Sequence, residues 1–213
     1  MQIKSKTVIS LKHLSLKLKD HLVLNDLSLD IKEGDKVGLV GANGSGKTTL
    51  LRLLAGIYKD FTGSLVNQKD FFYLSSPGSL TSPVLNIIDN IKRIFYFYQI
   101  NELDQTKLAQ YLEEFQLNPY LDYQLSELSQ GYQLRVQIVA YLMMNFQNAL
   151  IDEFFGFGDK FVMEKFEQQL KDKLDNSQCL VIASHNINLI HQFCNRIIHL
   201  DNGQIVKDEK LNK

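Results

Sequence analysis

An apolar run at residues 37–40 opens directly into Gly41-Ala42-Asn43-Gly44-Ser45-Gly46-Lys47-Thr48, and Leu50, Leu51, Leu53 and Leu54 follow at helical spacing until Gly56. Few folds accept this order. It satisfies G-x-x-x-x-G-K-[ST] in the strand, loop, helix context that gives the pattern its meaning. Glycines let successive backbone N–H groups converge on phosphate oxygens, and the helix N-terminus adds partial positive charge. In such a loop Lys47 reaches the β and γ phosphates of a nucleotide, and the Thr48 hydroxyl ligates Mg²⁺. A coincidental glycine-rich turn is the competing reading, and the flanking strand and helix argue against it.

The rest of the chain has to supply a fold around that loop. With 213 residues, 45% of them hydrophobic and 22% charged, it can bury one substantial core. A formal charge of −1 gives no electrostatic reason to expect a nucleic-acid partner. Cys179 and Cys194 lack metal-ligand spacing and read as buried reduced thiols. The longest apolar runs, such as residues 138–144, fall far short of the ~18 residues a membrane helix needs, and the N-terminus has no continuous signal-peptide core. Any membrane attachment is expected to come through a partner.

Residues 7–31 read as short strands, with a turn at Glu33-Gly34-Asp35. Residues 80–144 change texture: the stretches 87–100 and 108–115 show helical spacing without strand signals, and predict a helical insertion. Residues 149–151 and 179–183 look like buried parallel strands separated by a helix over about 160–174. A last pair at 197–200 and 204–206 is joined by the hairpin signal Asp201-Asn202-Gly203, and the polar tail from Lys207 is expected to fray. The alternation is α/β.

Three further groups fall in a chemically useful order. Asp152 and Glu153 end an apolar strand, where Asp152 can hold the Mg²⁺ shell and Glu153 can orient or deprotonate water. His185 follows a strand, at the carboxyl edge where α/β sheets collect ligands, and can contact a γ-phosphate or the attacking water. Leu128-Ser129-Gln130-Gly131-Tyr132 opens another apolar helix, so Ser129 and the N–H groups after it form a candidate second phosphate pocket. Taken alone, an Asp-Glu pair at a strand end is more often solvated, and a serine there more often a simple N-cap.

The order of these elements resembles the ABC ATPase family across essentially the whole chain. Residues 41–48 are similar to its Walker A motif, 128–132 to its LSGGQ-type signature, 149–153 to its Walker B motif and His185 to its switch histidine. Gly156-Phe157-Gly158-Asp159-Lys160-Phe161 resembles the V-G-D-x-x-F stretch of exporters for capsular polysaccharide, O-antigen and teichoic acid. Segments at 184–185, 193–196 and 200–203 are similar to the same branch.

The resemblance implies an α/β fold: a P-loop NTPase core with an N-terminal antiparallel β-subdomain and an inserted helical subdomain at 80–145, all within one domain spanning 1–213. It implies ATP and Mg²⁺ as cofactors. Residues Gly41, Ala42, Asn43, Gly44, Ser45, Gly46, Lys47, Thr48 and Thr49 would bind ATP, with Ser129, Gln130 and Gly131 completing the site of a second copy. Thr48 and Asp152 would hold the metal, the latter through water, and Glu153 and His185 would be catalytic.

The implied protein is the ATP-hydrolysing subunit of a transporter that exports a cell-surface polysaccharide or glycolipid. It would act as a homodimer at the cytoplasmic face of the membrane, attached through an integral-membrane permease. An ABC ATPase for another substrate, or a soluble regulatory ABC protein, is the alternative. Several positions depart from the family pattern. Leu18 stands where many members stack the adenine on an aromatic ring, Ser76 where a glutamine is usual, and Gln130 and Tyr132 where the signature has Gly and Gln.

Overall fold

Near the N-terminus two long strands, β1 (Thr7–Leu18) and β2 (His21–Lys32), pair antiparallel and bury Val8, Ile9, Leu11, Leu14, Leu16, Leu24, Leu27 and Ile31. The apolar side chains do not keep a strict period of two, because His13 and Asp26 take positive φ values of 48° and 51° and the register shifts beside them. Such bulges insert an extra residue and re-aim the side chains that follow. This is why the segment reads in sequence as several short strands when it forms two continuous ones. In this computed structural model the described residues are 6–67, 71–75, 80–153, 164, 168–169, 172 and 179–211.

The chain divides into two compact units. The first comprises Met1–Tyr73, Phe146–Glu153 and Lys171–Lys213, and the second Leu74–Asn145 and Phe154–Leu170. In the first unit β3 (Lys36–Val40) leads into α1 (Lys47–Leu54), and β4 (Thr62–Asn67) joins the free side of β1 to give the order β2-β1-β4. A second sheet adds β5 (Phe72–Ser75), β6 (Asn148–Asp152), β7 (Cys179–Ala183), β8 (Arg196–Asp201) and β9 (Gln204–Lys210) in the order β5-β6-β7-β3-β8-β9.

The strands β6, β7, β3 and β8 run parallel. All five residues of β6 and of β7 are buried, as expected for strands covered on both faces. Leu50, Leu51, Leu53 and Leu54 of α1 join Leu24, Leu29, Val37, Leu39 and Ile198 in one core. Each fully buried leucine removes enough apolar area to stabilise by about 1.5–3 kcal/mol. Cys179 and Cys194 are buried thiols not joined in a disulfide, and burial pushes the Cys179 thiol up to about 12, which makes it unreactive at neutral pH.

β9 corrects the expectation of a frayed tail. The two-residue turn Asn202-Gly203, with φ of 46° and 74°, reverses the chain, and β9 pairs with β8 out to Lys210. Arg196 fixes this extension: its Nε and Nη2 donate to the two oxygens of Asp208 at 2.8 and 2.6 Å, while Nη1 donates to Asp35 and to the Asp30 carbonyl, each at 2.8 Å.

In the second unit the described residues form helices: α2 (Ile87–Phe97), α3 (Gln105–Glu114) and α4 (Gln130–Met143), with 3₁₀ turns at Asn118–Tyr120 and Leu125–Glu127. Side chains of Asn86 and Asp104 accept from the backbone N–H groups of Asp89 and Lys107, which accounts for where α2 and α3 begin. The wholly buried Asn90 satisfies its amide on the carbonyls of Ser82, Leu85 and Asn86. The helix expected over 160–174 lies largely outside the described residues, as do Ser76 and the stretch 156–161.

Candidate functional site

The loop between β3 and α1 is built so that its backbone can face a ligand. Gly46 caps α1 with φ 105°, and a Cβ there would meet Leu24 Cδ2 at 2.9 Å, so only glycine fits without strain. Ala42, Asn43 and Gly44 are exposed, whereas Ser45, Gly46 and Lys47 are buried. Lys47 Nζ donates to the carbonyls of Gly41 at 2.8 Å and Ala42 at 3.0 Å, folded over the loop it belongs to. The buried Ser45 Oγ has no hydrogen-bond partner. A folded-over cation, an orphaned hydroxyl and a helix N-terminus together match what a polyphosphate requires.

Val23, Asn43, Gly44, Gly46, Lys47, Thr48, Thr49, Glu153 and His185 line one cavity. Four sources converge there: β2 through Val23, the loop and first turn of α1, the residue after β6, and the segment after β7. Thr48 Oγ1 donates to Asp152 Oδ1 at 3.0 Å, which brings together two hard oxygen groups of the kind Mg²⁺ accepts. Burial pushes the Asp152 carboxyl above its usual range, against the downward pull of Thr48, Tyr73, Arg52 and Lys47. A cation would relieve that opposition, so these residues fit a divalent metal.

Glu153 stands next to Asp152 in the chain, and on a regular strand it would point to the opposite face. Its φ of 50° turns it out of the strand and rotates the side chain toward the cavity, while its N–H still donates to Ala183 O at 2.9 Å. A positive φ in a non-glycine residue is uncommon and costs of order 1 kcal/mol or more, and such strain clusters at functional sites. Glu153 Oε1 lies 3.1 Å from His185 Nε2, within ion-pair distance, yet makes no well-aligned hydrogen bond and is shielded from solvent. A carboxylate oxygen left without a donor in a phosphate-facing cavity can accept a proton from water. His185 itself is held by the turn before α5 (Ile187–Phe193), where Asn186 accepts from the N–H groups of Asn188 and Leu189.

Ser129 is the N-cap of α4 by position, but its side chain makes no capping bond. It is exposed with Gln130, and Gly131 is half-buried. Gln133 supports the turn by donating Nε2 to Leu128 O at 2.9 Å. The competing reading of Ser129 as an ordinary cap is therefore not supported by its geometry.

Sequence reasoning missed three contributors. Val23, and not Leu18, lines the cavity; Leu18 packs against the hydrophobic core. Gly203 at the tip of the β8–β9 hairpin donates to Ser45 O at 3.1 Å and accepts from Asn25 N–H at 2.9 Å, so the turn braces the phosphate-facing loop. Tyr73, wholly buried on β5, donates its hydroxyl to Asp152 Oδ2 at 3.0 Å. Only the Asn-Gly dipeptide carried a signal, and it announced a hairpin rather than a brace.

Comparison with known proteins agrees with this geometry. The ABC transporter family matches residues 24–156. The O-antigen export system ATP-binding protein RfbE of Yersinia enterocolitica is 33% identical over 186 residues, covering 87% of this chain and 78% of its own. The capsule polysaccharide export ATP-binding protein CtrD of Neisseria meningitidis serogroup B is 29% identical, over 97% of this chain and 96% of its own. A solved dimeric bacterial ABC transporter cassette superposes with a TM-score of 0.78 at 25% identity, covering 96% of this chain and 99% of that one. The chain belongs to the ABC transporter family, as an ATP-binding and ATP-hydrolysing subunit.

Proposed function

We propose that this subunit powers export of a cell-surface polysaccharide or glycolipid. The observation that carries the substrate class is the near full-length similarity to the ATP-binding proteins of O-antigen and capsule export. On this reading two copies act as a homodimer at the cytoplasmic face of the membrane, attached through a permease, and each copy is one cassette with its helical part at 80–145. Among the described residues no helix is long and apolar enough to cross a membrane.

Lys47 leaves the carbonyls of Gly41 and Ala42 for the β and γ phosphates, exchanging neutral acceptors for charged ones. Residues 41–46 and Thr49 supply the backbone and hydroxyl cradle. Thr48 and Asp152 would hold Mg²⁺, Asp152 through water; the metal supplies neutralisation of charge building on the phosphate oxygens. Glu153 Oε1 accepts the proton of the attacking water, and His185 fixes the orientation of that carboxylate and of the water. Ser129, Gln130 and Gly131 of one copy face the γ-phosphate held by the other, an assignment supported by the uncapped Ser129 hydroxyl.

The test is depletion in the native host with replacement by wild type or Glu153→Gln. Surface polysaccharide should fall on depletion, return with wild type and stay low with Glu153→Gln. Unchanged surface glycan after depletion, with hydrolysis intact in the purified protein, would rule out the export assignment.

A further inference from the structure

Asp152 is gripped at both carboxylate oxygens: Thr48 Oγ1 donates to Oδ1 and the Tyr73 hydroxyl donates to Oδ2, each at 3.0 Å. Tyr73 is 0% exposed, and a phenylalanine would fill the same space without having a hydroxyl to desolvate. A buried hydroxyl persists where it has a specific partner. A phenol is an O–H donor and an ionised carboxylate only an acceptor, so the bond runs from Tyr73 to Asp152.

The Arg52 guanidinium lies close enough to Tyr58 and Tyr73 for its charge to act on both phenols. Arg52 and Thr48 are four residues apart on α1 and therefore share a face of that helix. The helix thus holds one carboxylate twice, directly through Thr48 and indirectly through Arg52 and Tyr73. A guanidinium charge beside the phenol polarises the O–H and strengthens its bond to Asp152.

We propose that Tyr73 is the positioning residue of the cation site. Its hydroxyl occupies Asp152 Oδ2 and fixes the carboxylate plane, so that Oδ1 is the oxygen presented beside Thr48. Arg52 holds Tyr73 in that pose from one helical turn further along α1. This rests on the reading of Thr48 and Asp152 as the groups that hold Mg²⁺. Groups that orient metal ligands typically change metal affinity by about 10–100-fold when removed, although they never touch the ion.

The experiment is Mn²⁺ binding by electron paramagnetic resonance, on the full chain with a non-hydrolysable ATP analogue, for wild type, Tyr73→Phe, Arg52→Gln and Asp152→Asn. Analogue affinity in EDTA is measured in parallel. Tyr73→Phe should weaken Mn²⁺ binding about tenfold while metal-free analogue affinity stays within about twofold. Arg52→Gln should weaken it in the same direction by less, and it carries the test if Tyr73→Phe does not fold. Asp152→Asn should lose the tight Mn²⁺ site. If Asp152→Asn loses the site while both other variants bind Mn²⁺ as wild type does, Tyr73 is a packing residue and the inference is wrong. If Asp152→Asn itself binds Mn²⁺ normally, the cation reading fails, and the role of Tyr73 with it. A lowered melting temperature in Tyr73→Phe with Mn²⁺ affinity unchanged also overturns it.

Discussion

Glu153 Oε1 lies 3.1 Å from His185 Nε2; Glu153 directly follows β6, and His185 comes two residues after the end of the adjacent parallel strand β7. The pairing register aligns Asp152 with Ala183, and the positive φ of Glu153 turns its carboxylate so that it meets the imidazole at that edge. Removing either should therefore injure the same step. Glu153→Gln is expected to lower the rate of ATP hydrolysis by about 10²–10⁴-fold, the usual contribution of a positioned general base, with ATP affinity retained. His185→Ala should lower it less. Steady-state phosphate release measures both, and Glu153→Gln hydrolysing near the wild-type rate would exclude Glu153 as the base.

Lys47 exchanges two carbonyls for phosphate oxygens, so its loss should be felt in binding as well as turnover. Lys47→Ala is expected to weaken ATP binding by about 1.5–3 kcal/mol, the range for hydrogen bonds to charged groups. Folding should survive, because the side chain supports only its own loop. Calorimetric titration with ATP checks this; wild-type affinity would show that the loop does not hold the phosphates.

Leu18 packs on the hydrophobic core while Val23 lines the cavity, which redirects any attempt to improve base contacts. Leu18→Tyr should overpack the end of β1 and destabilise the fold by about 1–3 kcal/mol without tightening ATP binding. Thermal unfolding and a nucleotide titration on the same sample separate the two effects. Tighter ATP binding in Leu18→Tyr would mean that the side chain reaches the base after all.

Much of the site was legible from sequence because its parts are local. The spacing of Gly41, Gly46, Lys47 and Thr48, and the carboxylates ending an apolar strand, each act within a few residues. What stayed hidden depends on pairing between distant segments. β4 is an exposed edge with only Leu65 partly buried, so it shows no alternation, and β5 is four residues with no polar face to mark it. The bulges at His13 and Asp26 disguise two long strands as several short ones. Tyr73 reads as one more core aromatic until β5 is placed beside β6.

Arg196 ties β9 into the sheet through Asp208, whose carboxyl the hydrogen bond from Arg196 holds below its usual range despite partial burial. A depressed folded-state value means that the stabilisation is present above the unfolded value of about 4 and is lost as the pH falls through the folded one. Urea unfolding should therefore show an acid-sensitive component below about pH 4 that Arg196→Gln lacks. Identical pH profiles for the two proteins would show that the clamp contributes nothing.

We propose that Ser129 of one copy and Glu153 of another act on the same ATP. If so, Glu153→Gln should bind ATP, fail to hydrolyse it and remain closed as a dimer, because hydrolysis is what opens the shared site. Ser129→Arg added to that variant should return it to monomer, since a bulky cation at the N-terminus of α4 cannot share the space of a phosphate oxygen and opposes the helix dipole. Sedimentation velocity of Glu153→Gln with Mg²⁺-ATP, with and without Ser129→Arg, is the direct measurement. A shared site should give a doubled mass for the single variant and monomer for the double variant; a single variant that stays monomeric, or a double variant that dimerises equally well, would mean that the site is not shared.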